Sequence, residues 1–355
     1  MATKYEKKPV EQWLNQTDYT MMGYMPSDEA LFFVNFIKEV NNGQEENETP
    51  LVHLRMMDSV FNKDKRCAIL CHRGIGKTTL FAEYLILFVA AFGKFPGFGN
   101  TNLILYVTDS IENGVKNLRR NVEFRYANSE FLQKLIPNRK ITVGTDGAGF
   151  VDVEEYENQS AGGRKFTDIR LEFQNNKGHT TVVKGYGAKT GVRGAKEMGV
   201  RPTVALLDDL VSDTDAESPT IIATIENTVY KAVSKALSPS KQKMVWLGTP
   251  FNARDPLYKA VESGAWKVSV YPICEEFPVS KEDFKGSWED RFTYEYVLDE
   301  YEEAQALGMP ANFNQELMLR IMSDEDRLVK DSDIRWYDSS IIDDNKSNYN
   351  FYITT

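Results

Sequence analysis

Short apolar runs recur along the chain at 67–71, 103–107, 203–207 and 244–247, with a further β-prone run at 266–270. The first four are nearly unbroken in apolar character, as expected of strands covered on both faces of a sheet. Between them the spacing of apolar residues turns helical, over 80–92, 111–126 and 219–237. Thr108-Asp109-Ser110 supplies polar side chains suited to capping the second of these helices. Strand alternating with helix predicts a parallel sheet with helices on both sides, built on five parallel-type strands.

Residues 141–184 break that rhythm. Positions 166–173 alternate apolar and polar, Asn175-Asn176-Lys177-Gly178 reads as a turn, and 180–183 is β-prone, so an antiparallel hairpin is expected as an insertion. Upstream, Ser27-Asp28 opens an amphipathic helix carrying Leu31, Phe32, Val34, Phe36 and Ile37, followed by a polar loop over 41–49. This region, 1–50, reads as an adapter leading into the core. Downstream of 275 the chain becomes acidic and aromatic, with a helix expected over 294–307 and a small, mostly helical subdomain over 275–345. The last residues, 349–355, alternate like the first strand of another sheet, which suggests a boundary at about 346.

The junction between the first strand and the first helix carries the chemistry. Cys71-His72-Arg73-Gly74-Ile75-Gly76-Lys77-Thr78-Thr79-Leu80 places a glycine turn with Gly-Lys-Thr between a buried strand and a helix, the form of a phosphate-binding loop. Main-chain amides of Gly74, Ile75, Gly76, Lys77, Thr78 and Thr79 can converge on a phosphate, and the helix start adds its positive dipole end. Lys77 supplies a mobile cation, and Thr78 is placed to ligate Mg²⁺. Cys71 stands where the usual pattern has its first glycine. Together these features predict an α/β fold: a three-layer P-loop NTPase with a mostly parallel sheet, the inserted hairpin and the C-terminal helical subdomain over the core 51–274.

Two further strand ends fit that reading. The run 204–207 ends in Asp208-Asp209; successive strand residues point to opposite sides, so one carboxylate can serve Mg²⁺ while the other meets a water. Asp208 is assigned to the metal and Asp209 to preparing the attacking water, a base contribution of roughly 10²–10⁴-fold; the pair also admits the reverse assignment. Gly248-Thr249-Pro250 leaves another buried strand at the end where α/β sheets collect ligands, so Thr249 reads either as a γ-phosphate sensor or as an ordinary strand exit. Arg73, inside the loop, reads either as an arginine finger acting from the same chain, worth about 10³–10⁵ in turnover, or as a surface or DNA contact.

Composition narrows the setting. With 42% hydrophobic and 26% charged residues in 355, the chain is an ordinary globular one. The longest apolar run, 84–92, has about half the length needed to cross a bilayer, and no secretion signal follows the N-terminal lysines. Cys67, Cys71 and Cys274 make an odd count with two in one strand, which argues against a disulfide framework and for a reducing compartment. His53, His72 and His179 fall in no metal-ligand spacing. The formal charge of −10, from 42 basic and 52 acidic residues, argues against coating of nucleic acid by bulk attraction. Local basic groups remain candidates for DNA contact: Lys116, Arg119, Arg120 and Arg125; Lys184, Lys189, Arg193, Lys196 and Arg201; Lys231, Lys235, Lys241 and Lys243.

Arg73 to Thr78, Gly191-Val192-Arg193-Gly194 followed by Arg201-Pro202, Leu206 to Asp209 and Gly248 to Pro250, in this order, resemble the large terminase subunits of tailed bacteriophages. The resemblance runs from about residue 50 to the end. It implies an ASCE-type ATPase that uses ATP and Mg²⁺ to drive double-stranded DNA into a procapsid, with Arg73 as a finger in cis. Asp209 then stands where the family usually has a glutamate, and Gly248, Thr249 and Pro250 match the segment that links hydrolysis to movement. It also implies a homo-oligomeric ring on the capsid portal protein, a small terminase subunit as partner, and a place in the host cell cytoplasm without membrane contact. Arg119, Arg120 and Arg125 become candidates for a helper arginine acting in trans. The segment 275–345 resembles the family's linker subdomain, and 346–355 the start of its C-terminal nuclease, so this chain is expected to act as the motor without cutting DNA. A helicase-type ATPase is a rival reading, weakened by the lack of a second ATPase-like half. An ATP-binding regulatory or scaffolding protein is another.

Overall fold

The computed structural model describes residues 4–44, 48–145, 149–152, 166–190, 192, 195–197 and 199–321. Gly191, Arg193 and Gly194, residues 322–345 of the expected linker and the expected strand at 349–355 lie outside these. Among the described residues there are eleven strands: β1 (Arg66–Cys71), β2 (Lys94–Phe95), β3 (Gly99–Asn100), β4 (Leu103–Thr108), β5 (Asn138–Thr145), β6 (Gly149–Asp152), β7 (Phe166–Gln174), β8 (Thr180–Gly187), β9 (Val204–Asp208), β10 (Lys243–Gly248) and β11 (Lys267–Tyr271). Nine of them form one sheet in the order β11-β1-β10-β9-β4-β8-β7-β5-β6.

The five expected parallel strands are all there, and β8 joins them by pairing parallel with β4, Leu103 opposite Val182 through Thr108 opposite Gly187. β8 is also one arm of the expected hairpin, antiparallel to β7 with Ile169 opposite Gly185. The insertion is larger than a hairpin, because β5 and β6 extend it antiparallel beyond β7. β5 contains the charged and glycine-bearing run Asn138-Arg139-Lys140-Ile141-Thr142-Val143-Gly144-Thr145, which shows neither a clean alternation nor an apolar block.

Strand residues alternate between two cores. In β1, Ile69 and Cys71 join one cluster while Ala68 and Leu70 join the other, and in β10 Val245 and Leu247 are separated from Met244 and Trp246 in the same way. The first face is covered by helices Asp28–Val40, Leu51–Val60 and Lys116–Ala127 and by the continuous pair Thr79–Tyr84 and Leu85–Phe92. The opposite face is covered by Val10–Leu14, Pro219–Asn227 with its continuations Thr228–Val233 and Ser234–Ala236, and Pro256–Glu262. Three layers result.

The N-terminal helix is packed into the core, where an adapter leading up to it was expected. Phe33 and Phe36 meet Phe88 edge-on at 5.3 and 5.2 Å, and Phe88 lies 4.7 Å from Phe92; each such pair adds about 0.5–1.5 kcal/mol beyond its buried area. Ser27 caps the helix by accepting from Ala30 N at 3.1 Å. The region after β11 holds a third, smaller cluster of Ile273, Cys274, Trp288, Phe292, Val297, Phe313, Leu317 and Met318. Around it fold helices Tyr294–Ala306 and Pro310–Glu316, the first close to its expected span and capped by Thr293. Among the described residues no helix is long and apolar enough to cross a membrane.

Candidate nucleotide site

The glycine turn leaves β1 with Gly74 at φ 87° and Gly76 at φ 85°, left-handed conformations that favour glycine. A Cβ on Gly74 would also stand 3.2 Å from the Phe292 ring. Cys71 is tolerated in place of the usual first glycine because it is still strand, fully buried, with burial pushing its thiol up to about 12.

Two histidines fasten the loop. His53 Nε2 meets Ile75 O at 2.6 Å, and His72 Nδ1 meets Arg73 O at 2.8 Å while its Nε2 lies 3.0 Å from Ser287 Oγ. Burial lowers their pKa values to about 4 and about 3 respectively, so both are neutral near pH 7, with one ring nitrogen free to donate to a loop carbonyl. Each ring also packs edge-on against the C-terminal cluster, His53 on Trp288 at 4.7 Å and His72 on Phe292 at 5.1 Å. Histidine spacing in the sequence carries no hint of this role, since His53 arrives from a separate helix.

Lys77 is buried and directed at the ends of β9 and β10. Its Nζ lies 3.1 Å from Asp209 Oδ2 and 3.5 Å from Thr249 Oγ1. Burial works against its charge and is the largest influence, but Asp209, Cys71 and Asp208 together hold its pKa above the ordinary lysine value. Thr249 in turn donates to Cys71 O at 2.7 Å, which ties the end of β10 to the end of β1. Asp209 has left the strand, with φ 42°, so a change of backbone conformation, in addition to strand alternation, turns its carboxylate toward Lys77. Gly248 fits closely beside it: a Cβ there would crowd the Leu257 side chain at 2.9 Å and touch Asp209 Oδ1 at 3.4 Å.

Asp208 is the last residue of β9 and is buried. Tyr106 donates to its Oδ2 at 3.1 Å, whereas Oδ1 is buried with no hydrogen-bond partner. Burial first, then the charge of Asp209, pushes the carboxyl up to about 7, against the pull of Lys77, Thr78 and Tyr106. An unpartnered buried carboxylate oxygen beside a loop threonine suits a hard dication that takes oxygen ligands and keeps much of its water shell, so the residues present fit Mg²⁺ at Thr78 and Asp208.

Arg73 lies at the cleft and is tied to the C-terminal subdomain. Its Nη1 contacts Glu316 Oε2 at 2.9 Å and Oε1 at 3.1 Å, and its main-chain N donates to Glu316 O at 3.1 Å. The Arg73 side chain is 71% exposed, and both residues line a cleft of about 230 Å³ with Lys77, Asp209 and Thr249. The neighbouring Gln315 donates to Pro250 O at 3.0 Å. Glu316, Gln315 and Tyr106 are site residues that the sequence does not advertise.

The basic groups are less available than their spacing suggested. Arg119 is buried and pairs with Glu123 at 3.1 Å, Arg125 Nε meets Glu83 at 2.7 Å, and of the three arginines Arg120 alone is exposed. Lys184 and Lys189 pair with Glu197 and Asp215. Lys243 is a correction: fully buried, it donates to Asn62 O at 2.7 Å and Asp64 O at 3.1 Å, and forms no basic surface.

Strand order, the glycine loop after β1 and the carboxylates at the end of β9, with β10 between the two strands, define a three-layer α/β fold of the P-loop NTPase type. The fold is similar to the crystal structure of the HK97 bacteriophage large terminase, with a TM-score of 0.47 and 16% sequence identity over 83% of this chain and 56% of that chain. The present chain thus spans little more than half of that protein's length. No family model matches the sequence, and neither does any curated protein.

Proposed function

We propose that this protein hydrolyses ATP and uses the turnover to translocate viral double-stranded DNA into a procapsid, as the motor part of a large terminase. The observation that carries the first half is the Lys77–Asp209 contact at 3.1 Å, with the unpartnered Asp208 oxygen adjoining it. A glycine loop brings a cation to a carboxylate pair at the carboxyl ends of parallel strands, where a phosphate and its attacking water must meet. The second half rests on the order of the motifs at 73–78, 201–209 and 248–250.

The amides of Gly74 to Thr79 hold the phosphates, and Lys77 exchanges Asp209 for the terminal phosphate. Asp209, released from that pair, accepts a proton from the attacking water. Mg²⁺, when bound at Thr78 and Asp208, neutralises charge on the phosphate oxygens. Thr249, in contact with Lys77 and with the end of β1, reports loss of the γ-phosphate to the turn at Gly248 and Pro250. A homo-oligomeric ring on the portal protein, loaded through the small subunit in the host cytoplasm, completes this reading.

The test is ATP turnover with and without double-stranded DNA. Wild-type protein is expected to hydrolyse ATP faster when DNA is present and to displace no strand from a duplex. Lys77→Ala is expected to lose binding or turnover. Turnover that ignores DNA removes the motor reading and leaves a nucleotide-dependent regulator.

A further inference from the structure

The amino-terminal ends of the strands form the rim of the sheet opposite the nucleotide site. β1, β4, β8, β9, β10 and β11 run parallel, so the segments that lead into them emerge at one end. β7 is antiparallel to both β8 and β5, which brings the start of β5 and the turn between β7 and β8 to the same end. These seven segments, 62–66, 93–102, 134–140, 174–179, 199–203, 235–243 and 263–267, carry thirteen lysines and arginines against a single acid, Asp64. In a chain of net charge −10 this is a strong local excess. No segment holds more than three of the cations, so the fold has to assemble them before the excess is visible.

The rim is continuous and held in place. Gly97 lies so close to the neighbouring segment that a Cβ would stand 2.3 Å from Phe61 O. Lys241 Nζ donates to Asn100 O at 2.9 Å, Asn102 Nδ2 to Thr180 O at 3.1 Å, and Asn176 N to Leu135 O at 2.9 Å. Asp64 is matched by Lys267 at 3.3 Å, and Glu130, on the helix before β5, by Lys134 at 3.4 Å. Lys63, Lys65, Lys94, Arg139, Lys177 and Arg201 are exposed, and none of them has a carboxylate partner among the described residues.

From β1 to β5 the rim crosses six strand spacings of about 4.8 Å, about 29 Å in all, which approaches one turn of B-form DNA at about 34 Å. Exposed amide side chains at Asn100, Asn102, Asn138 and Gln174 stand among the cations, and such groups join lysine and arginine in holding phosphates. The region 275–321 carries twelve acids against four bases, so a polyanion is steered away from it and toward the rim. We propose that this rim holds the phosphate backbone of double-stranded DNA, without reading its sequence, at the ends of β1, β9 and β10 opposite those that carry the nucleotide site. The inference rests on the reading of DNA as the substrate and adds the face that grips it.

The experiment compares wild type with a rim variant, Lys65→Gln, Lys94→Gln and Lys177→Gln together, and with a control that loses the same charge elsewhere, Lys38→Gln, Arg254→Gln and Lys285→Gln, all at exposed positions. Fluorescence anisotropy with labelled duplexes of two unrelated sequences is followed over a range of salt, beside ATP turnover with and without DNA. The rim variant is expected to bind both duplexes at least about tenfold more weakly, with a plot of log K against log salt shallower by about 2–3. The control is expected to bind like wild type, and turnover without DNA to be unchanged in both. Unchanged affinity in the rim variant, an equal loss in the control, or a wild type that binds no duplex overturns the rim. So does sedimentation without DNA in which wild-type copies associate and the rim variant does not, if its DNA affinity is intact, because the rim then faces an acidic surface of a second copy. Wild-type turnover that ignores DNA, with affinity still lost in the rim variant, overturns the motor reading and leaves the rim standing. DNA-stimulated turnover that the rim variant retains at the same DNA concentration does the reverse.

Discussion

Arg73 Nη1 rests 2.9 Å from Glu316 Oε2, joining the phosphate-binding loop to the last residue of the helix Pro310–Glu316. The Arg73 side chain is largely exposed, and exposed ion pairs contribute only about 0–1 kcal/mol. A pair this weak is easily exchanged for a phosphate. Arg73→Ala is expected to slow hydrolysis by about 10³-fold or more while ATP still binds. Glu316→Gln, which frees the same arginine, is expected to raise turnover. Steady-state kinetics on both variants decides the matter: equal losses in the two would mean that the pair is structural.

Asp209→Asn keeps the size of the side chain and removes its capacity to take a proton. ATP binding is expected to persist and turnover to fall by about 10²-fold or more. Single-turnover hydrolysis beside a binding titration checks it, and normal turnover would pass the role of base to another group.

Thr249 connects Lys77 to the end of β1 through its hydroxyl. Thr249→Ala is expected to leave hydrolysis within a few-fold of wild type while DNA translocation fails. Counting base pairs moved per ATP is the measurement, and an unchanged ratio would reduce the residue to a strand exit.

The buried histidines make stability depend on acid. His53 and His72 titrate near 4 and 3 in the folded protein, below the ordinary value of 6.5. The unfolded chain therefore binds more protons once the pH drops below about 6.5, and stability is lost from there down to the folded values. For His53 alone the loss by pH 4 is on the order of 3 kcal/mol. Thermal unfolding of wild type and His53→Gln from pH 7 to 4 is expected to show a shallower decline in the variant, and parallel curves would exclude this source.

What the sequence disclosed and what it withheld divide along chemical lines. The loop, Asp208 at its strand end and the five parallel strands were legible because each is a local pattern: an apolar run, a glycine turn, a helical repeat. β5 and β6 were not, since a strand bearing Arg139, Lys140 and Gly144 is held by its neighbours more than by its own pattern. His53, Tyr106, Gln315 and Glu316 reach the site from distant segments, and nothing in their own surroundings records the partner they meet. Asp209 was assigned its task from its position, but the left-handed backbone that turns it toward Lys77 was invisible at that level.

Gln315 and Glu316 are consecutive residues, yet one grips the turn after β10 and the other the loop after β1. Adjacent side chains on a helix diverge by about 100°, so both holds depend on a single angular phase. Inserting or deleting one residue between 310 and 315 would swing the two side chains off their targets in the same stroke, which makes the length of that short helix as constrained as the identity of the residues it presents.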